Sequence, residues 1–263
     1  MTTRLKIYKT MVIPTIYHNI ETWNSISKKE MKELEDMQGI ILKKICEQRK
    51  TTPYRGLLAE LGIWTVEKQI EYKKIMLLHN ILTSKQDRLI TEIIKDQIQI
   101  TWPGCWIENV KKLCDKYELN IDEINKYTKN TLKHILKGKI DTQLNIETRE
   151  LSNCKTKMRF IKDHSQKTYI KELNFKECVI MFKIRLNMIE TKCNYKNMFA
   201  NKKCKICKSK DDTTEHLLEC TRKNGNQINI NLNVPNKDIV KIIAENISRR
   251  ESLGYKIKVC KGE

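Results

Sequence analysis

Glycine and proline are scarce, with 8 and 4 in 263 residues, so turns are few and long helices are expected. No apolar run approaches the roughly 18 residues that a membrane span needs. The opening residues, Met1 to Lys6, lack the apolar core of a secretory signal. A secreted or membrane-integral protein is therefore not expected, and an intracellular location, nuclear or cytoplasmic, is. Also missing are the G-x-x-x-x-G-K, G-x-G-x-x-G and H-E-x-x-H patterns, and no small-molecule substrate is expected.

What is abundant is positive charge. Lys and Arg number 51 against 32 Asp and Glu, a net charge of +19. Such an excess points to a polyanionic partner, most often nucleic acid. The basic residues are 41 Lys and only 10 Arg, and Ile and Asn are frequent too. These are residues of AT-rich codons, so coding bias explains part of the excess. The length suits one large or two small domains.

Helical periodicity dominates. Residues 3–23 read as two helical pieces kinked at Pro14. Ser27-Lys28-Lys29-Glu30 forms a capping box that opens a helix to about Cys46, with Leu34, Met37, Ile41 and Ile45 on one face. TPYRGLLAELG follows, ended by Gly62 as a C-cap. Thr65 caps a helix to about Leu82. Further helices are expected over about 87–99, 106–117, 121–137 (ended by Gly138), 156–172, 176–190 and 237–250, with INLNVP as one short strand. The fold class is all-α.

Ten cysteines are present, and without a secretory signal they read as reduced thiols. Cys46 and Cys178 sit in apolar helical patterns, as buried hydrophobes do. Cys204, Cys207, His216 and Cys220 are different, because they make C-x2-C-x8-H-x3-C. Two Cys two residues apart can place both sulfurs on one ion through a tight turn. A His and a Cys four apart share one helix face and can supply the other two corners of a tetrahedron. Thr213 is the expected N-cap of that helix. Four ligands leave no open position for water, so the expected zinc ion is structural.

With that finger the chain resembles the C-terminal part of the reverse transcriptases of non-long-terminal-repeat (LINE-type) retrotransposons. Four segments carry the resemblance, in order, across about residues 4–220. LKIYKTMVIPTIYHNIETWN has the pattern at Pro14, Tyr17, Glu21 and Trp23. TPYRGLLAELGIWTVEKQIEYKKIMLLHNI has the Glu-Leu-Gly segment and the helix after it. FKIRLNMIETKCNYKN resembles the basic helix before the finger, and CKICKSKDDTTEHLLEC the finger itself. The resemblance implies thumb-like helices followed by a Cys-Cys-His-Cys finger. It further implies a role in holding template RNA or target DNA for target-primed reverse transcription. The family's aromatic-x-Asp-Asp polymerase turn is absent. The one Asp-Asp, Asp211-Asp212, follows Lys210 inside the finger loop, and no nuclease pattern follows Cys220. The chain is therefore expected not to be an enzyme on its own, and the polymerase palm is expected to lie before Met1.

Two basic segments are candidate phosphate contacts. Lys126, Lys129, Lys133 and Lys137 would fall within about 80° of one another on a helix. Lys155, Lys157, Arg159 and Lys162 belong to a second stretch, 154–171, and Lys202, Lys203 and Lys205 surround the finger thiols. Backbone binding needs cations in a row and reads no base. A solvated helix face has the same appearance. Trp23 and Trp64 lie among apolar neighbours and read as core, while Trp102 and Trp106 flank a turn and are open to either reading. The resulting organisation is a thumb-like domain over 1–100, a basic helical linker domain over 101–195, the finger over 196–222 and a tail over 223–263. The rival reading is a stand-alone helical protein-interaction module with a structural zinc. RNA or DNA preference and oligomeric state are not legible.

Overall fold

The computed structural model describes residues 1–84, 89–100, 102–154, 156–189, 191–194, 201–204, 206–220, 240, 241, 244 and 245. These residues are mostly helical and include no strand, only one isolated bridge between Lys203 and Asp211. The expected strand in INLNVP and most of the expected helix 237–250 lie outside them. The helices are α1 (Thr2–Ile7), α2 (Ile13–Ile16), α3 (Lys28–Ile45), α4 (Tyr54–Leu61), α5 (Val66–Leu82) and α6 (Leu89–Gln99). They continue with α7 (Trp106–Lys116), α8 (Lys129–Cys154), α9 (Tyr169–Glu172), α10 (Phe175–Arg185) and α11 (Thr214–Glu219).

The chain forms two compact units. One holds Met1–Thr2, Lys43–Gly62 and Thr148–Glu263, and the other holds Thr3–Leu42 and Ile63–Glu147. Both are discontinuous in sequence, and the boundary expected at residue 100 falls inside the second.

In the second unit, α5 to α8 enclose one core. Leu132, Leu136, Ile140 and Leu144 line one face of α8 and are buried against Ile75, Leu78, Val110 and Ile124. Burying each such side chain contributes about 1.5–3 kcal/mol. That explains why α8 does not stop at Gly138, as its composition suggested. The glycine sits exposed in mid-helix, and its cost of about 1 kcal/mol is outweighed by the buried stripe on both sides. The helix expected from 121 starts later. Ile121–Lys126 is a 3-10 turn, and Thr128 caps α8 by accepting from the Thr131 amide. A smaller cluster gathers Tyr17, Ile20, Val66 and Ile70. Between α1 and α2 the break is a π-helical turn, Tyr8–Val12, just ahead of Pro14. The box at Ser27 and Glu30 forms in both directions. The buried face of α3 differs from the expected stripe, however: Gln38, Gly39 and Leu42 are inside, while Met37 is exposed.

In the first unit, α4 packs closely on the 158–186 region. A Cβ on Gly56 would stand 2.5 Å from Leu186 Cδ2. Gly62 caps α4 at φ 57°, and a Cβ there would meet the Gln166 amide nitrogen at 2.3 Å. Tyr169 and Phe182 meet edge to face at 5.7 Å. Cys46 and Cys178 are fully buried, as expected. The helix expected over 156–172 is not formed. A 3-10 turn, Thr156–Met158, is followed by irregular chain up to α9. There Asp163 accepts from the Ser165 hydroxyl and the Lys167 ammonium, and the Lys167 amide donates to the Glu60 carbonyl. These polar bonds compete with helix formation. Asn174 then opens α10 with a complete capping box.

Candidate metal centre

Two local structures converge in the first unit. The first is the 201–211 turn. The Cys204 amide donates to the Lys210 carbonyl at 2.8 Å, and the Lys208 amide to the Cys204 carbonyl at 2.8 Å. The turn closes because Lys208 takes a left-handed backbone, φ 57°. Inside it the Ile206 amide points at Cys204 Sγ, 3.4 Å away, and the Ser209 hydroxyl donates to Cys207 Sγ at 3.2 Å. The second is α11. Thr213 caps it by accepting from the His216 amide at 3.0 Å, as expected. One helical turn then sets His216 and Cys220 side by side, with the Cys220 amide on the His216 carbonyl.

The four side chains meet. Their ligand atoms all lie within 4.8 Å of one another. Cys204 Sγ is 3.6 Å from Cys220 Sγ, and Cys207 Sγ is 3.2 Å from His216 Nε2. A tetrahedral ion with metal–sulfur bonds of about 2.3 Å requires sulfur–sulfur edges of about 3.8 Å. The donor set fits such an ion. The Lys210 amide, with the Ser209 hydroxyl and amide, holds the Cys207 thiol down at about 5. Burial, reinforced by the thiols of Cys204 and Cys207, pushes Cys220 up to about 12. Crowded sulfurs resist sharing negative charge, and a bound cation removes that conflict. The group can therefore hold a metal ion. Cys204 and His216 are buried, whereas Cys207 is exposed.

The finger is fastened to the rest of its unit. Fully buried Asp212 accepts from the Lys192 amide at 2.9 Å, and its own amide donates to the Lys202 carbonyl. The Lys192 ammonium reaches the Lys203 carbonyl at 2.7 Å. Thr214 donates to Asn187 Oδ1 at 2.6 Å, and Arg159 pairs with Glu215 at 2.6 Å. Asp211 pairs with Lys203 at 3.2 Å. Both residues of the Asp-Asp pair thus have structural partners.

The expected basic stripe divides. Lys126 ends the 3-10 turn and pairs with Glu123 at 2.8 Å, off α8. Lys129, Lys133 and Lys137 stay on one face of α8 and form no ion pair among the described residues; Lys133 is half-buried. The second stretch is not a helix face at all. Lys157 reaches the Thr51 carbonyl at 3.4 Å, Arg159 is committed to Glu215, and Lys162 is exposed. Lys202 and Lys203 are exposed on the finger. Lys155 and Lys205 lie outside the described residues.

Trp64 donates to Asp141 at 2.8 Å and packs on Tyr72, partly in the core. Trp23 does not join the core. It follows the 3-10 turn Ile20–Thr22 in extended backbone, where the helical period of 3–23 has ended, and it is 47% exposed. A buried ion pair, Glu60 with Arg185, escaped sequence reading. The signal was a lone acid inside one apolar run, LLAELG, and basic residues inside another, VIMFKIRL.

No helix among the described residues is long and apolar enough to cross a membrane. Neither a family model, nor a curated protein, nor a solved structure matches the chain.

Proposed function

We propose that the chain is a nucleic-acid-binding region of a LINE-type reverse transcriptase, thumb-like helices plus a finger that carries one structural Zn²⁺. It would position template RNA or target DNA for target-primed reverse transcription. The observation that carries the reading is the convergence of Cys204, Cys207, His216 and Cys220 at the finger of a strongly basic helical chain. Three sulfurs and one imidazole nitrogen at tetrahedral spacing suit zinc, and four protein ligands make the ion structural rather than catalytic. Exposed lysines on α8 and the finger act as point charges toward phosphate and read no base edge well. On this reading the region alone does not polymerise.

The test has two parts. Purified protein should carry about one zinc per chain, and Cys207→Ser should lose it. Filter binding should show weak sequence preference and a steep fall of affinity with salt. Changing Lys129, Lys133 and Lys137 together to Gln should lower the log–log salt slope by up to about 2–3 units. Affinity that ignores salt would favour the protein-interaction reading.

A further inference from the structure

Two of the four tryptophans stand in solvent, Trp102 at 70% and Trp23 at 47% exposure. They lie on segments that are stitched together within the second unit. The Asn24 side-chain amide donates to the Gly104 carbonyl at 2.5 Å, and Asn109 donates to the Asn24 carbonyl and Oδ1, both at 3.0 Å. Trp106 donates its indole N–H to the Glu21 carbonyl at 2.8 Å. Gly104 adopts φ 79°, and its amide is held by Glu108 at 2.5 Å, so the Trp102 turn is fixed from both sides. The two indoles are therefore carried by a braced pair of turns.

The local charge is positive. Lys28, Lys29 and Lys32 lie exposed on the first turns of α3, just after Trp23, and Lys111 is exposed on α7. The Lys74 ammonium reaches the Asn24 carbonyl at 3.2 Å. Of the nearby acids, Glu21 pairs with Lys73 and Glu108 with Lys112; Glu30, held by the Ser27 amide, and Glu33 share the first turns of α3 with the three lysines, which still outnumber them. Exposed aromatic rings beside exposed cations are the combination that binds single strands, because every base has a face to stack and every nucleotide a phosphate to neutralise.

We infer that Trp23 and Trp102 form a base-stacking platform for single-stranded nucleic acid. The inference rests on the nucleic-acid reading above and narrows it to strand type. A duplex keeps its bases stacked on one another and offers nothing to the indoles.

The test uses the full chain, a short oligo(dT) and a blunt duplex of the same length. Trp23→Ala and Trp102→Ala should each weaken oligo(dT) binding about tenfold or more and leave duplex affinity unchanged. Oligo(dT) should quench tryptophan fluorescence in the parent chain but not in the double variant, where Trp64 and Trp106 remain. Both residues are exposed, so circular dichroism should be unaltered. Unchanged oligo(dT) affinity in the double variant, or equal loss for both probes, overturns the platform and leaves the broader reading standing. If the parent binds neither probe, both fall. Self-association seen by sedimentation and abolished by the double variant would assign the surface to a second copy, for which the exposed Ile100 and α6 aliphatics are suited, and overturn the inference.

Discussion

Arg185 Nε lies 2.7 Å from Glu60 Oε2, with both side chains sealed from solvent. The Tyr169 hydroxyl donates to the same oxygen at 2.6 Å, and the Glu60 charge with burial keeps that phenol protonated far above its usual range. Glu60 comes from α4 and Arg185 from the end of α10, so the pair ties together two helices of the first unit. Removing one partner strands a charge in the core. Arg185→Met should cost about 3–5 kcal/mol in urea unfolding. Combining it with Glu60→Leu should recover part of that loss, because two apolar groups can replace a buried pair at little cost, while the Tyr169 hydroxyl is left without its acceptor. A double variant as unstable as the single would contradict this account.

Alkaline pH should weaken the second unit. Burial pushes the Tyr8 phenol up to about 12 and raises Tyr17 further. Tyr117 is raised by burial and by its bond to Glu71. A raised value means that the folded chain keeps the proton after the unfolded chain has lost it. Stability from these groups is complete below the unfolded value of about 10 and falls as pH climbs toward the folded one, by about 1.4 kcal/mol per unit for each phenol. Urea midpoints on either side of pH 10, read with tyrosinate absorbance, check the sign.

Local signals in the sequence were legible. The Ser27 box, the Thr65 and Thr213 caps, the Gly62 C-cap and the finger spacing each depend on residues within one or two turns, and each formed as read. Tertiary burial was not legible. It carried α8 through Gly138, where local propensity said stop. The Glu60 carbonyl, a hundred residues away, tied down the Lys167 amide in a stretch that periodicity had made a helix. Trp23 misled for a related reason, since apolar neighbours in sequence do not bury a side chain once the helix has ended.

Lys208 holds the left-handed position of the metal turn, where a side chain costs about 1–2 kcal/mol and glycine pays no steric penalty. Allowing for the greater freedom of glycine in the unfolded chain, Lys208→Gly should stabilise the finger by about 0.5–1 kcal/mol. Metal competition with a chromogenic chelator should show slower release. Lys208→Ala, which keeps the strain, should show no gain.

Metal removal should be felt beyond the finger itself. A four-ligand ion that closes a small loop contributes much of that loop's folding energy. The loop's contacts are with Arg159, Asn187 and Lys192, through Glu215, Thr214 and Asp212. When the ion leaves, Thr214 and Asp212 lose their fixed positions. Asn187 then loses a buried partner while it holds a left-handed backbone, φ 48°. Hydrogen exchange after chelation should therefore quicken over about 187–220 and around Arg159. The α5 to α8 core should keep its protection, since it draws on its own buried stripe. Arg159→Ala in the metal-loaded protein should reproduce part of the loosening near Glu215 without loss of the ion. Exchange that quickens only within 201–220 would mean that the finger opens independently of the chain that carries it.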